Sequence, residues 1–202
     1  MTEPKWMRWI STFEMEGAET VRIESTQRGF RASGELVYKQ DEEESYHGIT
    51  YRILVDEEER VRKVKIKDSK TGEKIFLRAD GRGRWSTGDG EPLPGLDGCI
   101  DIDISTSVFT KKIPISHLEL GEEEEKCIRV VYIPLSSGGP LEVLAEEQRY
   151  TYIERDPKYV DDYSMLYRYE RLSSGFKKEF ITDEEGFFGE FGQQMVPRRK
   201  DD

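Results

Sequence analysis

Two aspartates in the stretch LDGCIDIDIS, residues 96–105, are the first candidates for chemistry in this chain. Residues i and i+2 of a β-strand point to the same side of a sheet, so Asp101 and Asp103 would share one face. Two carboxylates on one face could hold a divalent cation, or divide acid and base roles as in glycosidases. The alternation of Ile and Asp is also typical of an ordinary half-buried strand, and this structural interpretation is favoured.

A second candidate face lies in the stretch EQRYTYI, residues 147–153. Gln148, Tyr150 and Tyr152 would share one side of a strand, while Arg149 would lie on the other. A Gln with two Tyr could form hydrogen bonds with hydroxyl groups and stack on sugar rings. The same side chains would also suit a β interior whose Tyr hydroxyls reach water, and this interpretation is slightly favoured.

The usual catalytic and cofactor motifs are absent from the sequence. The two histidines, His47 and His117, do not form an H-E-x-x-H motif, and neither a G-x-S-x-G elbow nor a phosphate-binding glycine loop is present. The two cysteines, Cys99 and Cys127, lack the C-x-x-C spacing of a zinc site. We therefore expect no cofactor and no metal, and the sequence favours a protein that is not an enzyme.

The chain of 202 residues carries 42 acidic and 31 basic residues, for a net charge of −11. Such a charge repels nucleic acids and anionic membrane surfaces, because binding to phosphates depends on cationic contacts. No apolar run is long enough to span a membrane, and acidic residues occur too early for a signal peptide. We therefore expect a cytoplasmic protein without a nucleic-acid partner or a membrane-spanning segment.

The hydrophobic pattern has a period of two over most of the chain, which is typical of half-buried β-strands. Clear examples are residues 21–26, 33–39 and 48–56, while residues 125–135 predict a strongly apolar strand. The KTGE sequence at residues 70–73 predicts a hairpin turn. One short helix is expected after residue 105, with its length limited by Pro114. We predict one mostly β domain over residues 1–202.

Four segments, taken in chain order, resemble the bacterial family named "putative glycolipid-binding", long classed as a domain of unknown function. The chain departs from the family pattern at Val108, where Pro is usual, and at Lys111, where Asn is usual. The matching residues are Trp85; Gly98, Cys99, Asp101 and Asp103; Phe109, Thr110, Pro114 and Ile115; and Gln148, Arg149, Tyr150 and Thr151.

The resemblance implies a single long antiparallel sheet rolled around one short α-helix, a spiral β-roll that is often dimeric. It also implies a ligand, a glycolipid or another amphiphile, held between the sheet and the helix. A carbohydrate-active hydrolase using Asp101 and Asp103, or a protein-interaction scaffold, is the alternative. The candidate ligand-binding residues are Trp85, Asp101, Asp103, Phe109, Thr110, Gln148, Arg149 and Tyr150.

The GCIDIDIS strand is expected to be central in its sheet. Its isoleucines, Ile100, Ile102 and Ile104, should be packed against a helix that begins near Ser105, because β-branched residues at period two favour burial of that face.

The two aspartates of this strand should be paired with a cation, because adjacent carboxylates repel each other. Arg149 is the predicted partner, since a guanidinium group can bridge carboxylates between two strands. In that arrangement Asp101 and Asp103 would form a structural clamp.

Overall fold

The structure, a computed structural model, describes residues 3–11, 16–39, 45–135, 140–155, 165–183 and 186. Within these ranges the chain forms twelve strands, one α-helix and a short 3-10 helix at Pro94–Leu96. The strands of the first sheet are β1 (Lys5–Ser11), β2 (Glu16–Thr26), β3 (Gly29–Lys39), β4 (His47–Val55), β5 (Val61–Asp68), β6 (Lys74–Ala79) and β7 (Trp85–Thr87). Those of the second are β8 (Asp101–Ile104), β9 (Glu125–Ile133), β10 (Leu144–Arg155), β11 (Met165–Arg171) and β12 (Phe176–Thr182), and the helix α1 spans Phe109–Leu118.

The first sheet is an antiparallel meander in which each strand pairs with the next one along the chain. Its strands alternate between buried and exposed side chains, as the period-two pattern predicts. The predicted hairpin is confirmed, since β5 and β6 pair antiparallel across the turn after Asp68. Local hydrophobic pattern and turn chemistry therefore account for this sheet.

The second sheet has the order β12-β11-β10-β9-β8. Its pairs are antiparallel except β8 and β9, which run parallel because α1 carries the chain back between them. The prediction of a central GCIDIDIS strand is therefore wrong, since β8 is the edge strand. Ile102 and Ile104 are buried as expected, whereas Ile100 precedes the strand and is 40% exposed.

The helix begins four residues later than predicted. Between β8 and α1 the chain makes a turn at Thr106, whose φ of 67° is left-handed and incompatible with a helix starting at Ser105. Eight of the ten residues of α1 are buried, including both of its lysines. A helix buried on nearly all sides must have protein around it, and side chains of both sheets contact it.

The predicted fold class is confirmed: the protein is mostly β, rolled around a single short helix. The strands form two hydrogen-bonded sheets, with one parallel pair, where the resemblance implied one antiparallel sheet. Residues of both sheets and of α1 share one hydrophobic core. The assignment of residues 1–202 to one domain stays a prediction.

A glycine in β3 leaves room for an aromatic side chain of β4 that contacts α1. A Cβ atom on Gly34 would lie 2.1 Å from Cζ of Tyr51, the residue opposite it on β4. The Tyr51 ring therefore lies directly on the glycine, and it stacks in turn on Phe109 of α1.

We expect Gly34→Ala to lower the free energy of unfolding by about 2 kcal/mol, because the buried Tyr51 ring would have to move. Gly48→Ala is the matched control, since its Cβ would meet no atom nearer than 3.5 Å. Urea denaturation of both variants measures the difference. Equal stabilities would show that the contact between Tyr51 and Gly34 does not constrain the fold.

Candidate functional site

Asp103 lies at the centre of a buried polar cluster between β8, α1, β10 and β11. Its Oδ1 accepts hydrogen bonds from Lys111 Nζ and, at 3.3 Å, from Thr110 Oγ1. Its Oδ2 accepts from Gln148 Nε2 at 2.5 Å and from the Tyr169 hydroxyl at 3.2 Å. Four donors therefore surround one carboxylate in the interior, which compensates for its loss of hydration.

The cation of this cluster is the ammonium group of Lys111, whose side chain is fully buried. Its Nζ also lies 5.3 Å from the ring centroid of Tyr169, in a cation–π arrangement. Burial of an ion pair adds little net stability, but removal of one partner leaves an uncompensated buried charge. Asp103 and Lys111 therefore depend on each other.

Asp101 is paired with the last turn of the helix. Its Oδ2 lies 2.9 Å from His117 Nε2, and the histidine side chain is 23% exposed while the aspartate is fully buried. Burial opposes a charge on His117, but the hydrogen bond and the negative charge of Asp101 outweigh it and raise the pKa of the imidazole above its usual 6.5. The second oxygen of the aspartate, Oδ1, is buried and has no hydrogen-bond partner among the described residues.

A loop of the first sheet approaches the same end of the helix. Glu59, between β4 and β5, adds its negative charge to the field that raises the pKa of His117, and its Oε1 lies 4.0 Å from Lys112 Nζ. Its Oε2, like Oδ1 of Asp101, is buried without a hydrogen-bond partner in the described part of the chain. Two carboxylate oxygens near the partly exposed His117 imidazole, one of Asp101 and one of Glu59, therefore lack a hydrogen-bond partner among the described residues.

The other end of α1 is held by Glu19, a buried residue of β2. The residue before the helix, Val108, offers no side-chain cap. Oε2 of Glu19 accepts hydrogen bonds from the backbone N–H groups of Val108 at 2.8 Å and Phe109 at 3.0 Å. Its Oε1 accepts from Ser107 Oγ at 2.6 Å and from the Tyr51 hydroxyl at 2.7 Å. A strand of one sheet therefore caps a helix that packs on the other.

Burial raises the pKa of Glu19, although the four donors act in the opposite direction. Burial, followed by the negative charge of Glu19, also raises the pKa of the Tyr51 phenol well above its usual value. The buried carboxylate of Glu19 was not predicted from the sequence. The available signal was weak: Glu19 occupies an inward position of β2, between Gly17 and Val21.

Comparison with known families gives a match over residues 6–195 to the family described as "Putative glycolipid-binding". The chain belongs to this family. The fold is also similar to that of a DUF1089 family protein from Pseudomonas aeruginosa, known from a crystal structure, with 29% identity and a TM-score of 0.67 over 93% of this chain and 90% of that one. No curated protein matches the chain.

The segments that carry the likeness to the putative glycolipid-binding family come together only in part. Asp103, Thr110 and Gln148 meet in the buried cluster, and the Tyr150 hydroxyl donates to Gln148 Oε1 at 3.4 Å. Asp101 lies at the other end of the same strand.

Two other predicted site residues lie elsewhere in the core. Phe109 stacks on Tyr51 at the start of α1. Trp85 is buried, and its Nε1 donates a hydrogen bond to the Cys99 carbonyl at 2.8 Å. In this structure both side chains therefore contact other residues of the protein core.

The predicted partnership of Arg149 with the two aspartates is wrong. Arg149 alternates with Gln148 and Tyr150 along β10, so it lies on the opposite face of the sheet. There its Nη1 lies 3.4 Å from Glu170, and its Nε lies 3.6 Å from Glu125. The basic side chains that contact the two aspartates are Lys111 and His117, both from the helix.

The described part of the chain contains no group of three His, Cys, Asp or Glu residues arranged to hold a metal ion. It also contains no helix that is long and apolar enough to cross a membrane.

We expect Glu19→Ala to lower the free energy of unfolding by about 3 kcal/mol, because it strands two backbone donors and two hydroxyl groups in the core. Glu16→Ala removes an exposed carboxylate from the start of the same strand, and we expect a change below about 0.5 kcal/mol. Urea denaturation compares the two. Equal midpoints would contradict the capping role of Glu19.

We expect the pair of His117 and Asp101 to make stability depend on pH. The pKa of His117 is raised in the folded protein, so the stabilisation is complete below about pH 6.5 and is lost as pH rises through the raised value. Thermal unfolding across this range measures the effect. His117→Gln should flatten the dependence in that window, and an unchanged slope would show that another group titrates.

Proposed function

We propose that this protein is a non-enzymatic binding protein for an amphiphile with a hydroxyl-bearing headgroup, such as a glycolipid. The headgroup would bind at the end of α1 where Asp101, His117 and Glu59 meet, and the apolar part would lie against the core between the sheets. Membership of the putative glycolipid-binding family supports the ligand class. A cytoplasmic location and a homodimer in solution are further parts of this proposal.

The observation that carries the proposal is the unsatisfied Oδ1 of Asp101. Buried polar atoms are almost always paired, and an unpaired carboxylate oxygen in the interior costs stability. A ligand hydroxyl group would donate the missing hydrogen bond. The imidazole beside it is partly exposed, so this end of the helix is where a headgroup could approach.

The contacts of Asp103 favour binding over hydrolysis. A glycosidase needs two carboxyl groups that flank the scissile bond, one as acid and the other as nucleophile or base. Asp103 is buried, and both of its oxygens already accept two hydrogen bonds each, including one from Lys111. Its role is to hold the helix on the sheet, which leaves Asp101 as the available carboxylate.

The test is to incubate the purified protein with a bacterial lipid extract and to identify bound species by native mass spectrometry. We expect one lipid class with a hydroxylated headgroup to be bound and to raise the melting temperature. Asp101→Asn should weaken this binding about ten-fold or more, because a buried acceptor is replaced by a donor. Asp97→Asn, an exposed carboxylate of the preceding loop, is the matched control.

Binding that is equal in both variants would place the headgroup elsewhere. A protein that takes up no lipid, but hydrolyses a glycoside and loses that activity in Asp101→Asn, would support the hydrolase alternative. A protein that binds no lipid and hydrolyses no glycoside would contradict the proposal and favour the scaffold alternative.

A further inference from the structure

Three neighbouring strands of the first sheet, β4, β5 and β6, present an unusually cationic outer face. Of the nine outward positions that pair across these strands, six are Lys or Arg and none is acidic, in a chain whose net charge is −11. The other three positions are Thr50, Leu54 and Phe76. The six cations, called the basic face below, are Arg52, Lys63, Lys65, Lys67, Lys74 and Arg78.

The cations of the basic face lie opposite one another across the strands. Like charges directly opposite each other destabilise a sheet, and they are usually replaced by opposite charges or neutral pairs. The opposed pairs are Arg52 with Lys65, Lys63 with Arg78, and Lys67 with Lys74. These like-charged pairs lower the stability of the fold, so their presence indicates a role in binding a partner.

The second sheet shows the usual arrangement. On β11 and β12, Arg168 lies opposite Glu179 and Glu170 lies opposite Lys177. Both pairs form salt bridges, at 2.8 Å and 2.9 Å. Opposite charges also pair across β2 and β3 of the first sheet, where Glu24 lies opposite Arg31 at 2.8 Å. The like-charged pairs of β4, β5 and β6 therefore differ from the pairs on both sides of the protein.

No carboxylate of the described residues lies within salt-bridge distance of the basic face, although Glu24 of β2 acts on Arg52 at longer range. Within the described ranges, none of its six cations forms a salt bridge with an acidic side chain. Three of the six surround Phe76, whose ring centroid lies 5.8 Å from Lys63 Nζ, 4.5 Å from Lys65 Nζ and 5.4 Å from Arg78 Cζ. The ring rests on the backbone of Gly88, where an added Cβ would lie 2.0 Å from it. The result is a fixed aromatic ring surrounded by unpaired cations.

We propose that the basic face binds the surface of an anionic phospholipid bilayer. The nine positions cover about 10 by 14 Å, from the strand spacing and the rise per residue. Each Lys or Arg near an anionic bilayer contributes about 1 kcal/mol of attraction, and Phe76 lies at the level of the headgroups. This proposal concerns a different surface from the amphiphile site and does not rest on that function.

The net charge of −11 does not decide this contact by itself, because the nine positions that would face the bilayer carry six positive charges and no negative one. Salt screens the repulsion from carboxylates that lie farther from the bilayer than one Debye length, about 10 Å at 0.1 M salt. The net charge governs the interaction of the protein with a bilayer only while the two are far apart. Once the two are in contact, the charges of the basic face dominate the interaction.

A bilayer fits the basic face better than a nucleic acid does. Proteins that bind single strands stack successive bases on several aromatic side chains, whereas Phe76 is the single aromatic residue among the nine outward positions. A duplex is read by an element that enters a groove, and the face of a sheet offers none. Towards β3 the run of cations without a salt bridge ends, since Glu35 lies opposite Thr50, and Arg31, opposite Leu54, is paired with Glu24.

The test is flotation of the purified protein with vesicles of phosphatidylcholine, with or without phosphatidylglycerol. We expect binding only to the anionic vesicles, and loss of that binding as salt is raised. Lys65→Gln combined with Lys67→Gln should weaken binding about twenty-five-fold, at about five-fold per lysine. The same variant should melt at the same temperature as the wild type or higher, because a repulsion is removed.

Arg168→Gln combined with Lys177→Gln is the matched control, since it removes two cations from exposed strands of the second sheet. We expect this control to retain vesicle binding and to melt at a slightly lower temperature. Equal loss of binding in both variants, or equal binding to both kinds of vesicle, would overturn the proposal. A mobility shift of a labelled oligonucleotide without vesicle binding would overturn it in favour of a nucleic acid.

Discussion

The structure depends first on a contact between two elements that are distant in sequence, the carboxylate of Glu19 and the start of α1. A helix with no cap of its own leaves backbone donors unsatisfied, and in a protein interior no water can replace the missing acceptor. Glu19, which belongs to the first sheet, accepts hydrogen bonds from those backbone donors, while the helix packs on the second sheet. The buried Tyr51, resting on Gly34, holds the carboxylate from the other side. One side chain thus fixes where the helix lies between the sheets.

Two further carboxylates attach the rest of the helix to β8. Asp103 is fully satisfied by its donors and makes a rigid junction with Lys111. Asp101, two residues earlier on the same strand, has one partner, the partly exposed His117, and one unsatisfied oxygen. The two aspartates share chemistry and burial but differ in the number of their partners. This difference separates a structural role from a binding role more clearly than their spacing does.

Charge is distributed unevenly over the two outer faces. On the second sheet, Arg168 with Glu179 and Lys177 with Glu170 form salt bridges between β11 and β12. On the first sheet, Lys and Arg side chains lie opposite one another across three strands, although the chain has a net negative charge. An average over the sequence hides such a surface, because the 42 acidic residues of the chain outnumber its 31 basic residues in the sum. The repulsion is retained at a cost in stability, which is the usual sign that a surface serves a partner.

Much of the architecture could be predicted from the sequence alone. The alternation of apolar and polar residues determines the strands, the turn residues determine the hairpin between β5 and β6, and the segment after β8 provides the helix. The inward face of Gln148 and Tyr150 also follows from the period of two, and the same period places Arg149 outside. These features depend on neighbours a few residues apart. The partners of the buried carboxylates could not be predicted in this way, because Glu19 meets a helix about ninety residues away and Asp103 meets Gln148 from another strand. Only the tertiary structure decides such contacts, since they depend on how the two sheets close around the helix.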